Sequence, residues 1–235
     1  MRADHHRFPL LAASFAALSL YATISNAAET APLTARGNEP GWQIRISDDV
    51  LSFNALGGES FEIKPAPQLT RQGDADIYQA TVDGRQFALT IAARTCVDTM
   101  SGMPYPKTAT VVLGDQKLAG CAGQPAELLH GDWQVAEIRG KAPVGNSKPT
   151  LAFDPDGRIH GNGSCNRFFG SFTLTGEGLT ISEAGASMMM CEQPLMDQER
   201  NLLKALEAVQ RFEVTQEGHV QLLDHEGQRL VSLRK

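Results

Sequence analysis

The chain has 235 residues, 42% of them hydrophobic and 20% charged, with a formal net charge of −6 at neutral pH. That composition excludes wholesale disorder, and the length leaves room for one large core or two small ones. Its Lys and Arg residues form no runs, so the clustered cations that displace counterions are missing and nucleic acid is not expected as a partner.

Arg2 and Arg7 precede an apolar stretch from Phe8 to Ile24, and Ser25 and Ala27 then supply small residues at the spacing a signal peptidase reads. Residues 1–27 are therefore expected to be a signal peptide cut after Ala27. The competing reading is a membrane anchor, which Pro9, Ser14, Ser19 and Thr23 weaken, because a spanning helix prefers ~20 clean apolar residues. No Cys stands at the cut to take a lipid, and no later stretch is apolar enough to span. The expectation is a periplasmic or secreted protein with no stable membrane span after cleavage.

Export changes how the cysteines read. Cys96, Cys121, Cys165 and Cys191 are even in number, and an oxidising compartment favours disulfides, with three connectivities open to four residues. Separations of 25 and 26 favour the neighbour pairs Cys96–Cys121 and Cys165–Cys191. Zinc ligation would want pairs two to four residues apart, which this sequence lacks.

Short alternating runs then follow one another. Trp42–Ile46 reads as a half-buried strand, turned at Asp48-Asp49 into Val50–Phe53. Tyr78–Val82 and Gln86–Ile91 flank Asp83-Gly84, a strong hairpin signal, and Ala109–Leu113 and Lys117–Gly120 flank Gly114-Asp115. Residues 28–123 are thus expected to be an all-β domain, an antiparallel sheet or barrel. Ala122–Glu127, with Gly123 and Pro125, is the expected boundary.

The second series, residues 128–235, opens with Trp133–Ile138 and Leu151–Phe153, the latter meeting the turn Asp154-Pro155-Asp156-Gly157. Phe168–Leu174 and Leu179–Ile181 follow. One segment departs from the β pattern: over Pro194–Val209, Leu195, Leu202, Leu203, Leu206 and Val209 share a face at helical spacing, with Asp197, Glu199, Arg200, Lys204 and Glu207 read as mostly opposite. Short strands around Val214, Val220–Leu223 and Leu230–Leu233 close the chain. The fold expected is mainly β, the second sheet carrying one helix.

The run Gly161-Asn162-Gly163-Ser164-Cys165-Asn166-Arg167-Phe168-Phe169-Gly170, followed by Met189-Met190-Cys191, then a helix and final strands, resembles the signature of the META domain (HslJ-like) family. The likeness covers roughly Gly131 to Lys235 and rests on Gly163, Cys165, Asn166, Phe168, Gly170 and Met190, with Ser164 standing where the family often has Gly. Gly37–Trp42, Thr95–Ser101 and Gly120–Ala122 are similar to a separate bacterial envelope domain. The resemblance implies a META-type sheet and an association with envelope stress and antibiotic tolerance; it implies no catalytic activity and no cofactor.

The remaining chemistry is sparse. His130, His160, His219 and His225 show no ligand spacing. Met100, Met103, Met189 and Met190 are the candidates for a Cu(I) site, since thioethers are soft donors. Against it, Met is a common filler of irregular cores, consecutive strand residues face opposite ways, and Cys191 is expected in a disulfide. Ser101-Gly102-Met103-Pro104-Tyr105 matches a Ser-Gly-x-x-Tyr pattern of periplasmic lysozyme inhibitors, where a loop plugs the enzyme cleft; its plainer reading is a turn into the next strand. No Gly-x-Ser-x-Gly elbow or Ser-x-x-Lys pair poses a base beside a hydroxyl. The leading expectation is a non-catalytic envelope protein that binds an envelope protein or a small ligand. A lysozyme inhibitor and a copper or redox protein are its competitors.

Overall fold

Polar–apolar alternation with period two gives each strand one buried face, and the tight turns fix which strands pair. The computed structural model describes residues 32–47, 49–176 and 178–235, apart from the side chains of 183 and 184; the signal segment expected at 1–27 lies outside the described residues. Pro32–Lys235 forms one compact unit containing two large antiparallel sheets.

The first sheet uses β1 (Leu33–Asn38), β2 (Gly41–Ser47), β3 (Val50–Ala55), β4 (Ser60–Ile63), β5 (Leu69–Gln72), β6 (Ala75–Val82) and β7 (Arg85–Ala92). After the short pair β8 (Cys96–Val97) and β9 (Pro104–Tyr105), β10 (Lys107–Leu113) and β11 (Gln116–Ala122) complete it. Among the described residues its order is β4-β3-β2-β1-β11-β10-β7-β6-β5. Asp83 and Gly84 both take positive φ, 49° and 77°, as a two-residue hairpin turn demands, and Val82 pairs with Arg85 across it. The sheet curls over Ile44, Leu51, Phe53, Phe87, Leu89 and Val111, all fully buried, and Phe61 of β4 stacks on Phe53 and meets Phe87 edge-on.

A 3-10 turn at Pro125–Leu128 leads into the second sheet, built from β12 (Gly131–Ile138), β13 (Thr150–Phe153), β14 (Arg158–Asn162), β15 (Arg167–Thr175) and β16 (Gly178–Ala186). Helix α1 (Gln193–Glu207) follows, then β17 (Arg211–Val214), β18 (Val220–Leu223) and β19 (Arg229–Arg234). Among the described residues the order is β16-β15-β14-β13-β12-β19-β18-β17. The two ends approach each other, since the Leu179 amide donates to the Gln210 carbonyl at 2.8 Å, and α1 packs on β16, β19 and β12. Leu202, Ala205 and Leu206 of the helix enter a core with Trp133, Leu151, Phe168 and Leu222. Among the described residues no helix is long and apolar enough to cross a membrane.

Met103, Tyr105 and Cys121 of the first series pack in this second core, joining the sheets through β9. The loop before β9 is organised by Asp98, only 8% exposed. One carboxylate oxygen accepts from the Met100 amide (3.1 Å), the Ser101 amide (2.8 Å) and the Ser101 hydroxyl (2.7 Å); the other accepts from Asn38 Nδ2 (2.7 Å). Burial favours the neutral acid, but the hydrogen bonds from Ser101, Asn38 and Met100 outweigh it and hold the carboxyl below its ordinary value. The stability this confers is therefore complete above the ordinary carboxylate pKa of about 4 and is lost as pH falls through the lower folded value. Urea unfolding should find Asp98→Asn less stable at pH 7 by about 1–2 kcal/mol, with a shallower loss of stability below about pH 4 than the wild type.

Two expectations from sequence need correction. Glu199 is not on the solvent face of α1 but buried against the 163–166 loop. Met188, Met189 and Met190 do not fill the core: they follow β16 in a non-strand segment, and are 96%, 57% and 88% exposed. Tyr105, at the end of the stretch read as a turn into the next strand, is buried in β9 beneath Arg36, whose guanidinium lies 5.4 Å from the ring centroid.

Candidate functional site

The signature loop between β14 and β15 carries more polar backbone than sheet pairing can satisfy, so its side-chain partners decide its shape. Glu199 answers that demand from α1. One of its oxygens accepts from the Asn166 amide at 2.6 Å and the Cys165 amide at 3.3 Å, and the other accepts from Asn166 Nδ2 at 2.9 Å. Asn166 Oδ1 in turn accepts from the Met189 amide at 2.7 Å and the Ser187 hydroxyl at 2.8 Å. Cys165 and Cys191 form a disulfide across the same place, as Cys96 and Cys121 do beside β11. Among the described residues there is no free cysteine.

Each signature residue therefore has a mechanical reason to be there. A Cβ on Gly163 would lie 2.7 Å from Glu199 Oε2, so only glycine admits the carboxylate. Phe168 packs over Gly161 in the core, and Gly170 sits at the register shift between β15 and β16. Ser164 adopts φ 104°, strained for a residue with a side chain, and its hydroxyl accepts from Gln198 Nε2 at 2.6 Å. Met190 is the exception: its side chain is open to solvent, and in this segment it is the backbone of Met189 that the hub grips.

Glu199, Gln198 and Ser187 were not singled out from sequence. A signal for the first two exists: at 3.6 residues per turn, Gln198 and Glu199 interrupt the apolar stripe running from Leu195 through Leu202 to Leu206. A polar pair inside an apolar stripe marks a helix that faces a polar loop.

Gln198 also fixes the long β12–β13 connection, accepting from the Val144 amide at 2.6 Å and donating to the Ser147 hydroxyl at 3.1 Å. The connection walls a groove of about 810 Å3 over β12 and the end of β19, and on its other side a recess of about 390 Å3 against α1.

Of the soft-donor candidates, Met103 is in the core while Met100, Met189 and Met190 are exposed. Among the described residues no group of three or more His, Cys, Asp or Glu is arranged to hold a metal ion. His160 stands 3.6 Å from Asp154 and His225 3.7 Å from Glu226, both pairs near the surface.

Two antiparallel sheets, a disulfide in each half, one helix closing the second sheet and a polar hub at its signature loop define a stapled β-sheet module. The family model of the META domain matches residues 126–235, in the C-terminal half of the chain. Among solved structures the chain is similar to the NMR structure of a protein from Burkholderia xenovorans. The two are 23% identical over 46% of this chain and 83% of that one, with a TM-score of 0.38. No curated protein matches.

Proposed function

We propose that this is an exported, non-catalytic envelope protein that supports the envelope under stress by binding a protein partner. The observation that carries the reading is the outer surface at the end of the β15–β16 pair. Phe169, 58% exposed and with the distal edge of its ring over Gly185, stands on the outer face of β15, while Met188, Met189 and Met190, just after β16, are open to solvent. Exposed large apolar side chains that are grouped, and not scattered singly, mark interaction surfaces, and Met and Phe are enriched in such surfaces. Their backbone is held by Asn166, Glu199 and the Cys165–Cys191 bridge, so a partner meets a preorganised surface and little ordering entropy opposes association. The acidic groups with the most internal partners, Glu199 and Asp98, are spent on backbone amides, which supports a structural and not a catalytic use of them. Two disulfides fit an oxidising compartment.

The test is site-specific photo-cross-linking from position 169 in cells, paired with survival of a deletion strain under envelope stress. The double substitution Phe169→Ser, Met189→Ser should weaken capture at least roughly tenfold without lowering thermal stability, and should fail to restore survival. A deletion strain as robust as its parent, together with no patch-dependent cross-link, would sink the reading.

A further inference from the structure

The larger groove is a second surface, independent of the Phe169 and Met188–Met190 patch, and its chemistry is different. Its floor is the outward side of β12, where Gln134 and Ala136 alternate with the inward Trp133 and Val135, and Gln134 pairs with Arg234 of β19. Its wall is the 142–149 segment. That wall is built and not loose: Gln198, itself buried, holds Val144 and Ser147, and the Ser147 hydroxyl donates to the Val144 carbonyl at 2.8 Å.

The charged residues lining the groove are Lys148, from the wall, and Arg234, from the last strand; no carboxylate lines it. Neither cation forms an ion pair among the described residues, although Asp and Glu outnumber Lys and Arg in the chain by 27 to 21. Arg139 and Lys141, which line the adjoining recess, are likewise without ion pairs, and Asp197 on that side is engaged by Arg200 at 3.3 Å. Gln134 and Asn146 supply hydrogen-bonding amides beside the cations, with Ala136, Ala142, Pro143 and Pro149 among the apolar remainder. A cavity of several hundred Å3 with a few placed polar groups is the size and make-up of a binding site.

We propose that this groove takes an acidic peptide segment in extended conformation. Two separated cations answer carboxylate side chains along a strand, and the amides beside them answer a peptide backbone. No aromatic ring lines the groove to stack on a sugar face, and no long apolar slot is present for an acyl chain.

The experiment is fluorescence polarisation on the full oxidised protein with a fluorescein-labelled octapeptide of alternating Glu and Ala. Saturable binding that weakens on adding salt is expected, with Lys148→Glu and Arg234→Glu each reducing affinity roughly tenfold or more. Lys117→Glu, an exposed cation on β11, and the double substitution Phe169→Ser, Met189→Ser should both bind as the wild type does, which separates this site from the patch. Absence of saturation up to about 1 mM peptide would overturn the proposal. So would binding that survives both charge reversals, or tighter capture of an equally charged polyphosphate or sulfated glycan at the same residues.

Discussion

Replacing Glu199 with Ala should lower the stability of the oxidised protein by about 3–4 kcal/mol, a loss as large as that expected for a buried leucine of α1. Removing the carboxylate strips two backbone amides and the Asn166 side-chain amide of their acceptor in a buried place. A buried donor left without a partner costs its full desolvation, about 1–3 kcal/mol, whereas the hydrogen bond itself contributes only about 1 kcal/mol net. Glu199→Gln keeps the volume and one carbonyl oxygen, so about 1–2 kcal/mol is expected. In a thermal scan the alanine variant should melt on the order of 10 °C lower, while Glu207→Ala, an exposed acid on the same helix, should move the midpoint by under about 2 °C. Equal effects at 199 and 207 would mean the hub does not hold the loop. Because Asn166 carries the Met189 backbone, the Glu199→Ala protein should also lose patch-dependent cross-linking at temperatures where it is still folded.

The parts of this architecture that sequence discloses are those where one local rule acts alone. The hairpin at Asp83-Gly84 is legible because period-two alternation and a turn that needs positive φ agree. The helix is legible because a 3.6-residue stripe sits between Pro194 and the last strands. β1 is not legible: Leu33–Asn38 has only Ala35 fully buried, and its place between β2 and β11 comes from partners remote in sequence. β5 is exposed at all four positions and is a strand only because β6 offers an unpaired edge.

The hub was half legible for a related reason. Its glycines and cysteines stand together in one run, but their charged partner arrives from a helix some 33 residues further on. Charge on a helix ordinarily means a solvent face, and Glu199 reverses that because the element opposite is an open loop full of amides. Met188–Met190 mislead in the other direction. Thioethers ordinarily fill cores, yet here the backbone is what the fold grips, leaving the side chains outside. The groove wall had no signal at all, since residues 139–149 follow no period and are shaped by Gln198 from outside.

In the first sheet the most damaging single change should be Gly120→Ala, with a loss of about 3 kcal/mol or more and poor recovery of folded protein. Trp42 lies across Gly37 and Gly120, its indole nitrogen donating to the Ala119 carbonyl at 3.2 Å, and the two glycines leave the space it occupies. A Cβ at 120 would stand 2.8 Å from Trp42 Cζ2 and closer still to the Arg36 carbonyl oxygen. A ring can tilt, but a carbonyl in the β1–β11 ladder moves only if the strands part. Trp42→Leu should therefore not rescue Gly120→Ala, and the double variant should be at least as unstable as either single one. Gly58→Ala, whose new methyl meets only ordinary contact with Ala55, is the control and should stay within about 0.5 kcal/mol of the wild type. Rescue by Trp42→Leu would show that ring stacking, and not strand spacing, sets the requirement for glycine. The consequence reaches the second sheet, because β11 carries Cys121 and Cys96 bridges it to the segment that seats Met103 and Tyr105 in the second core. Parting β1 from β11 should loosen that seat, so proteolytic cleavage between residues 98 and 104 is expected to speed up in Gly120→Ala well before global unfolding.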